Sequence, residues 1–278
     1  AFNPFLGFIA SFSQWFGLSI AMGVVAYLLV PFLRDISTGL GFNSIAETLE
    51  TGGVRVAISL AVVWIFTLVN ILGVKTYERT LITLMLLMFV GGAIAIPAGF
   101  IFNHSDFAGS LAQHEGAMLA SMPAAPFDIG ILLTASAVLF SSFIGFDSIS
   151  QAGGEAKNPN KTLPLAIGIT VGLVASYYML YTGAIYHAVP WNYIADQGAT
   201  TDLTAPGLLG YVLAPGLTVA IIAGAAIALA NSLPGMILAV SRLMFAWAGD
   251  GVFPRGIASV NKRWRTPHRA ILISSLTA

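Results

Sequence analysis

Ser141, Ser142, Gly145 and Asp147 interrupt an otherwise apolar run, which then closes in Gly154-Glu155-Ala156-Lys157-Asn158-Pro159. A segment long enough to cross a bilayer thus carries two hydroxyls, a glycine and a carboxylate near its centre. Each of these is costly there unless it lines a cavity or is satisfied within protein. The chemistry open to such an interruption is recognition rather than bond-breaking. Unwinding at Gly145 would release backbone N–H and C=O groups. An ammonium needs acceptors and a carboxylate needs donors, and an opened helix offers both within a few ångströms. Ser142 can add a hydroxyl, while Phe143, Ile144 and Phe146 supply apolar walls. A glycine-kinked helix whose serines bond back to the previous turn would use the same residues for structure alone. Asp147 favours the functional reading, because a lone intramembrane carboxylate is a functional hypothesis by default.

Two further apolar runs carry polar or soft residues at matching depth. One holds Asn231-Ser232-Leu233-Pro234-Gly235-Met236, and the first run holds Ser19 and Met22. Methionine is adaptable and common at binding surfaces, and it is equally ordinary core filler. Other chemistries find little support. The chain has no cysteine, so a disulfide framework, a thiolate metal site and a cysteine nucleophile are all excluded. His104, His114, His187 and His268 are scattered, none at metal-ligand spacing with another, and read as loop or interface histidines. Asp147 is the only ionisable residue near the centre of any run, so an intramembrane enzyme would lack a nucleophile–base pair or a metal cluster. No filter-like segment suggests a channel. No cofactor and no metal site is expected.

The elements that must position these residues are membrane spans. Hydrophobic residues make up 57% of the chain and charged ones 9%, against ~25% charged in a typical soluble domain. The net charge of zero gives no reason to expect nucleic acid as a partner. The chain reads as a single transmembrane domain over 1–278. Its spans fall at about 5–31, 53–74, 81–101, 127–154 (broken near 142–147), 164–188 and 216–248, with a partial span at 270–278. A spanning helix needs ~20 residues, so a chain that stops within its last run reads as an internal fragment of a longer membrane protein. Pro234 is the natural kink of the long sixth run.

Basic residues set the orientation. With alternate ends assigned in turn, Lys75, Arg79, Lys157, Lys161, Arg242, Arg255, Lys262, Arg263, Arg265 and Arg269 collect on one side, the cytoplasmic one; Arg34 and Arg55 fall on the other. Small residues should mark helix packing: Gly91, Gly92, Ala95 and Gly99 on the third span, and Gly168, Gly172 and Ser176 on the fifth. Asp128 reads as a helix cap, and so does Thr162 ahead of Pro164.

The string Phe143-Ile144-Gly145-Phe146-Asp147 with Gly154-Glu155-Ala156-Lys157-Asn158-Pro159 resembles the sixth transmembrane helix of the amino acid–polyamine–organocation (APC) permeases. Ser241-Arg242-Leu243-Met244-Phe245-Ala246, followed by Gly249-Asp250-Gly251-Val252-Phe253-Pro254 and Thr266-Pro267, is similar to the end of their eighth helix and the loop to the ninth. Pro4-Phe5-Leu6-Gly7-Phe8 resembles the start of their third. The motifs occur in family order and spacing over nearly the whole chain.

The resemblance implies an all-α polytopic helix bundle with the LeuT-type inverted-repeat fold, of which this chain would be helices three to eight and the start of nine. It implies that Met22, Ser142, Phe143, Ile144, Gly145, Ser232 and Met236 line the central substrate cavity, and that Asp147 gates it or couples it to protons. Two departures stand out. Some proton-coupled members carry a lysine in the fifth helix, where this chain has no charge and places Met88 or a neighbour. Some antiporters carry an aromatic residue where this chain has Met236.

The expectation is a secondary active transporter of amino acids or related amines, working by alternating access in the cell's inner (plasma) membrane. The alternative within the fold is a transporter or sensor for a polyamine, an amino alcohol or an inorganic cation. The partners implied are an amino acid or amine substrate, the lipid bilayer, a coupling ion (proton or sodium) or a counter-substrate, and a second copy of the chain in a homodimer.

Overall fold

The computed structural model describes residues 3–115, 127–143, 158–199 and 201–278. Every regular element among them is a helix, as expected, and no strand occurs there. In chain order the α-helices are α1 (Pro4–Gly39), α2 (Asn43–Glu50), α3 (Gly52–Ile71), α4 (Val74–Ile101), α5 (His104–Glu115), α6 (Ile129–Phe140), α7 (Pro159–Ala188), α8 (Trp191–Gly198), α9 (Ala205–Leu208), α10 (Pro215–Gly249) and α11 (His268–Ser275). Short 3₁₀ turns cover Ser141–Phe143, Leu209–Tyr211 and Arg255–Ala258. Among the described residues, α1, α3, α4, α7 and α10 are long and apolar enough to cross a membrane. The contacts divide the chain into two compact units: Ala1–Gly91 with Ile222–Ala278, and Gly92–Ile221.

In the first unit, α1, α3, α10 and α11 enclose a core of Leu18, Met22, Ala26, Val63, Phe66, Leu233, Ile237, Val240 and Ile271. The α1 helix starts on a defined cap: Asn3 Oδ1 accepts from the Phe5 amide at 2.8 Å and Pro4 occupies the first turn. It then runs unbroken through Pro31 to Gly39, further than the expected end of the first span. Proline has no N–H, so the carbonyl four residues earlier, that of Tyr27, loses its helical partner. Arg55 of α3 takes that place: its Nε donates to the Tyr27 carbonyl at 3.3 Å, and its guanidinium lies 3.8 Å from the centre of the Tyr27 ring. A basic residue inside an apolar helix thus repairs a proline defect in its neighbour.

Small polar side chains tie this unit together. Thr67 bonds Ser275 at 2.8 Å, Thr277 bonds Ser19 at 3.2 Å, and the Thr266 hydroxyl donates to the Ile71 carbonyl at 2.9 Å. Such hydroxyl pairs serve as interhelical glue where apolar burial no longer drives association. The α4 and α10 helices approach closely at Gly91 and Gly224; a Cβ on Gly91 would lie 2.7 Å from the Gly224 Cα. This is the small-residue packing expected of the third span.

The second unit buries Ala95, Phe107, Leu111, Ile185, Ala188, Val189, Leu208, Leu209 and Ile221. The α4 helix presses on α7 here, since a Cβ on Gly99 would come within 2.5 Å of the Ala184 carbonyl oxygen. Two histidines join the same helix ends reciprocally. His187 Nδ1 lies 3.0 Å from the Gly99 and Phe102 carbonyls, while His104 Nε2 lies 2.9 Å from the Tyr186 carbonyl. That last carbonyl is free because Pro190, four residues on, has no N–H to offer. Bonding to carbonyls requires the proton on Nδ1 in His187 and on Nε2 in His104.

Two expectations are corrected. Among the described residues, Gly168 and Gly172 form no packing face: a Cβ on either would meet nothing within 4 Å there, and Ser176 bonds back to the Gly172 carbonyl. Thr162 does not cap a helix. The α7 helix begins at Pro159, with Asn158 before it at φ 54°, ψ 57°, and the Asn158 carbonyl already accepts from the Lys161 and Thr162 amides. Asparagine tolerates the left-handed conformation and Pro159 is pre-set for the first helical position, so this pair starts the helix earlier and leaves Pro164 inside it. Asp128 does cap α6: its Oδ1 accepts from the Gly130 amide at 2.6 Å and the Ile131 amide at 3.2 Å.

Candidate functional site

The expected binding residues fall in both units. In the first unit Met22 is fully buried on α1, within the core formed with α3 and α10. Ser232 and Met236 lie on α10 to either side of Pro234. Ser232 Oγ donates to the Leu229 carbonyl at 2.7 Å, a bond back to the preceding turn. Met236 is half-buried and packs against the same core as Met22. The proline between them is marked by a contact not visible in the sequence. Asn70, buried on α3, donates its amide to the Phe66 carbonyl at 2.9 Å and to the Pro234 carbonyl at 3.3 Å. Asn70 Oδ1 and, one turn before Pro234, Asn231 Oδ1 are buried without a hydrogen-bond partner among the described residues. Unpaired amide oxygens inside a membrane helix bundle are costly, so the proline region of α10 holds unspent acceptor capacity.

In the second unit α6 is a 12-residue helix that stops at Phe140 and tightens into the 3₁₀ turn Ser141–Phe143. Twelve residues of α-helix rise about 18 Å, short of the ~30 Å hydrocarbon core. The regular helix therefore ends just ahead of the polar interruption. Tyr178 of α7 supports this turn twice. Its hydroxyl donates to the Ser142 carbonyl at 2.9 Å, and its ring meets the Phe143 ring edge-on, with centroids 5.6 Å apart and planes at 79°. A turn at the end of a helix frees carbonyls, and the phenol satisfies one of them. Ser142 and Phe143 belong to this turn, whereas Ile144, Gly145 and Asp147 lie outside the described residues.

Sequence reasoning missed Tyr178, Asn70 and Arg55 as partners of backbone breaks. For Asn70 and Arg55 a signal existed: each is a polar residue in a membrane-length apolar helix, which calls for a partner. Tyr178 gave none, because a tyrosine in an apolar helix is unremarkable. Among the described residues no cluster of His, Asp or Glu could hold a metal ion.

Long apolar helices joined by polar packing define an integral, multi-pass membrane helix bundle. Residues 1–277 match the family described as amino acid permease, and the chain belongs to that family, within the APC permeases. It is similar to cationic amino acid transporter 3, mitochondrial, of Arabidopsis thaliana, with 33% identity over 194 residues, covering 68% of this chain and 31% of that protein. It is 34% identical to cationic amino acid transporter 4 of Mus musculus over 149 residues, 54% of this chain and 23% of that protein. Branched-chain amino acid permease BcaP of Bacillus subtilis (strain 168) aligns over 95% of this chain at 24% identity, covering 55% of its own length. The chain thus spans between about a quarter and half of these relatives' lengths.

Proposed function

We propose that this chain forms part of a secondary active transporter that carries an amino acid or a related amine by alternating access. In this reading the main-chain groups freed at Ser142–Gly145 hold the substrate's ammonium and carboxylate. Met22, Phe143, Ile144, Ser232 and Met236 shape the space around its side chain, and Asp147 gates the site or couples it to protons. The observation that carries the reading is the end of α6 at Phe140, followed by a 3₁₀ turn held by Tyr178, at the head of the polar interruption. A helix broken inside a membrane is how secondary transporters expose main-chain donors and acceptors to a ligand. Membership of the amino acid permease family supports the substrate class. The relatives' names divide between cationic and branched-chain amino acids. The apolar side chains expected around the site favour a substrate with an apolar side chain. The membrane is the cell's inner (plasma) membrane in this reading, although one relative is named as mitochondrial.

The test is competitive uptake into proteoliposomes by the intact protein, with leucine, valine, arginine, lysine and a polyamine as competitors and a pH gradient on or off. Competition by branched-chain amino acids above the others is the expected result. Competition by arginine and lysine alone would overturn the apolar side-chain preference, and competition by the polyamine alone would overturn the amino acid reading.

A further inference from the structure

We propose that the segment from Arg255 to Arg269, which links α10 to the first turn of α11, is a preformed docking platform for anionic phospholipid headgroups. It carries Arg255, Lys262, Arg263, Arg265 and Arg269 and no acidic residue. All five are exposed, and among the described residues none forms a salt bridge. The turn from α3 to α4 lies against this segment: the Thr266 hydroxyl donates to the Ile71 carbonyl, and a Cβ on Gly73 would meet the Trp264 carbonyl at 3.2 Å. The first turns of α4 then add Lys75 and Arg79, both exposed, against Glu78. Asp250, just after α10, is a further carboxylate.

An excess of basic residues beside a span also serves to orient it in the membrane. That role needs no folded structure, whereas this segment is folded. Asn261 Oδ1 accepts from the Arg263 amide at 2.8 Å and the Trp264 amide at 3.2 Å. The Asn261 amide donates to the Thr266 carbonyl at 2.9 Å, and the Arg265 amide donates to the Asn261 carbonyl at 2.8 Å. Arg265 holds a positive φ of 54° within this turn. Arg269 Nη1 donates to the Gly256 carbonyl at 3.2 Å, closing the segment's two ends on each other. The cations are therefore presented from a fixed turn, so little ordering entropy opposes binding.

A second observation sets the depth of this turn. Phe8, Phe12 and Trp15 of α1 pack around Trp247 at the end of α10, and Trp247 stacks on Phe253 with centroids 5.6 Å apart. Tryptophan is enriched at the membrane–water boundary, and Trp247 lies in the last turn of α10. Arg255 follows Phe253 by two residues, which puts the platform at headgroup level. The Arg263 guanidinium lies 5.7 Å from the centre of the half-buried Trp264 ring, a pairing suited to the same boundary. A fixed array of cations without salt-bridge partners among the described residues, at that depth, is complementary to phosphate-bearing anionic lipid.

The test uses the intact protein in mild detergent with phosphatidylglycerol or phosphatidylcholine added. Lipid retention is read by native mass spectrometry and stabilisation by the shift in thermal midpoint. Phosphatidylglycerol should be retained about tenfold more strongly than phosphatidylcholine, and raising the salt from about 0.05 to 0.5 M should weaken that preference. Arg255→Gln, Lys262→Gln and Arg263→Gln together should remove most of the preference, while Arg255→Lys with Arg263→Lys should keep it. If the triple variant does not fold, the single Lys262→Gln variant and the wild-type salt dependence decide the matter. Equal retention of the two lipids, or an undiminished preference in the glutamine variants, would overturn the proposal. So would equal stabilisation by soluble glycerol 3-phosphate, which would make the site one for free phosphate.

Discussion

The Tyr178 hydroxyl donates to the Ser142 carbonyl across 2.9 Å and a sequence separation of 36, joining α7 to the turn that ends α6. That bond fills the need created when a helix stops inside a membrane, because the freed carbonyl has no water to turn to. It also makes α7 a buttress for the proposed site.

The first prediction tests that buttress. Tyr178→Phe keeps the ring against Phe143 and removes only the donor, and should cost about 1–2 kcal/mol, the usual penalty for an unsatisfied acceptor. Thermal unfolding in detergent should show the loss, and substrate affinity should fall with it. Tyr178→Ala removes the ring contact as well and should be worse in both measurements. A phenylalanine variant matching wild type in both would rule out the support role.

The second prediction concerns Gly145. Gly145→Val should abolish substrate binding while leaving membrane insertion intact. Valine is β-branched and resists open backbone geometries, and it fills the space that a ligand's main-chain groups would need. Calorimetry or scintillation proximity on the purified variant measures this; normal affinity would contradict the binding role.

Asp147 carries the third. If it gates the site or couples it to protons, Asp147→Asn should flatten the dependence of transport rate on pH, because an amide neither gains nor loses a proton over the working range. Equilibrium affinity should stay within a few-fold of wild type. An unchanged pH profile combined with severely weakened binding would make Asp147 a direct ligand instead.

A fourth prediction separates two glycine patterns that look alike on paper. Gly91→Ala places a methyl 2.7 Å from the Gly224 Cα and must push α4 from α10. It should destabilise the protein by about 1–3 kcal/mol, as overpacking does. Gly168→Ala and Gly172→Ala meet no neighbour within 4 Å among the described residues. Each should be neutral or slightly stabilising, since alanine is the better helix former. Thermal midpoints of the three variants decide it, and equal destabilisation in all three would refute the distinction.

Much of this protein is legible in its sequence. Apolar length alone marks α1, α3, α4, α7 and α10 as spans, because a bilayer demands ~20 residues of satisfied backbone. Asp128 announces its capping role, because a carboxylate at a helix start has free amides to accept from. The family is carried by short motifs in order. Only the tertiary structure decided which faces meet. In lipid a helix is apolar all round, so periodicity does not distinguish the packed side from the lipid side. Gly91 and Gly168 therefore carry the same signal, yet one touches a neighbouring helix and the other touches nothing described. Nor does sequence show which partner repairs a broken backbone. Arg55 serves the carbonyl freed by Pro31, His104 the one freed by Pro190, and Tyr178 the turn at Ser142, and these pairs are far apart in the chain. The demand for a partner is local and can be read from a proline or an interrupted helix; its supply is set by packing.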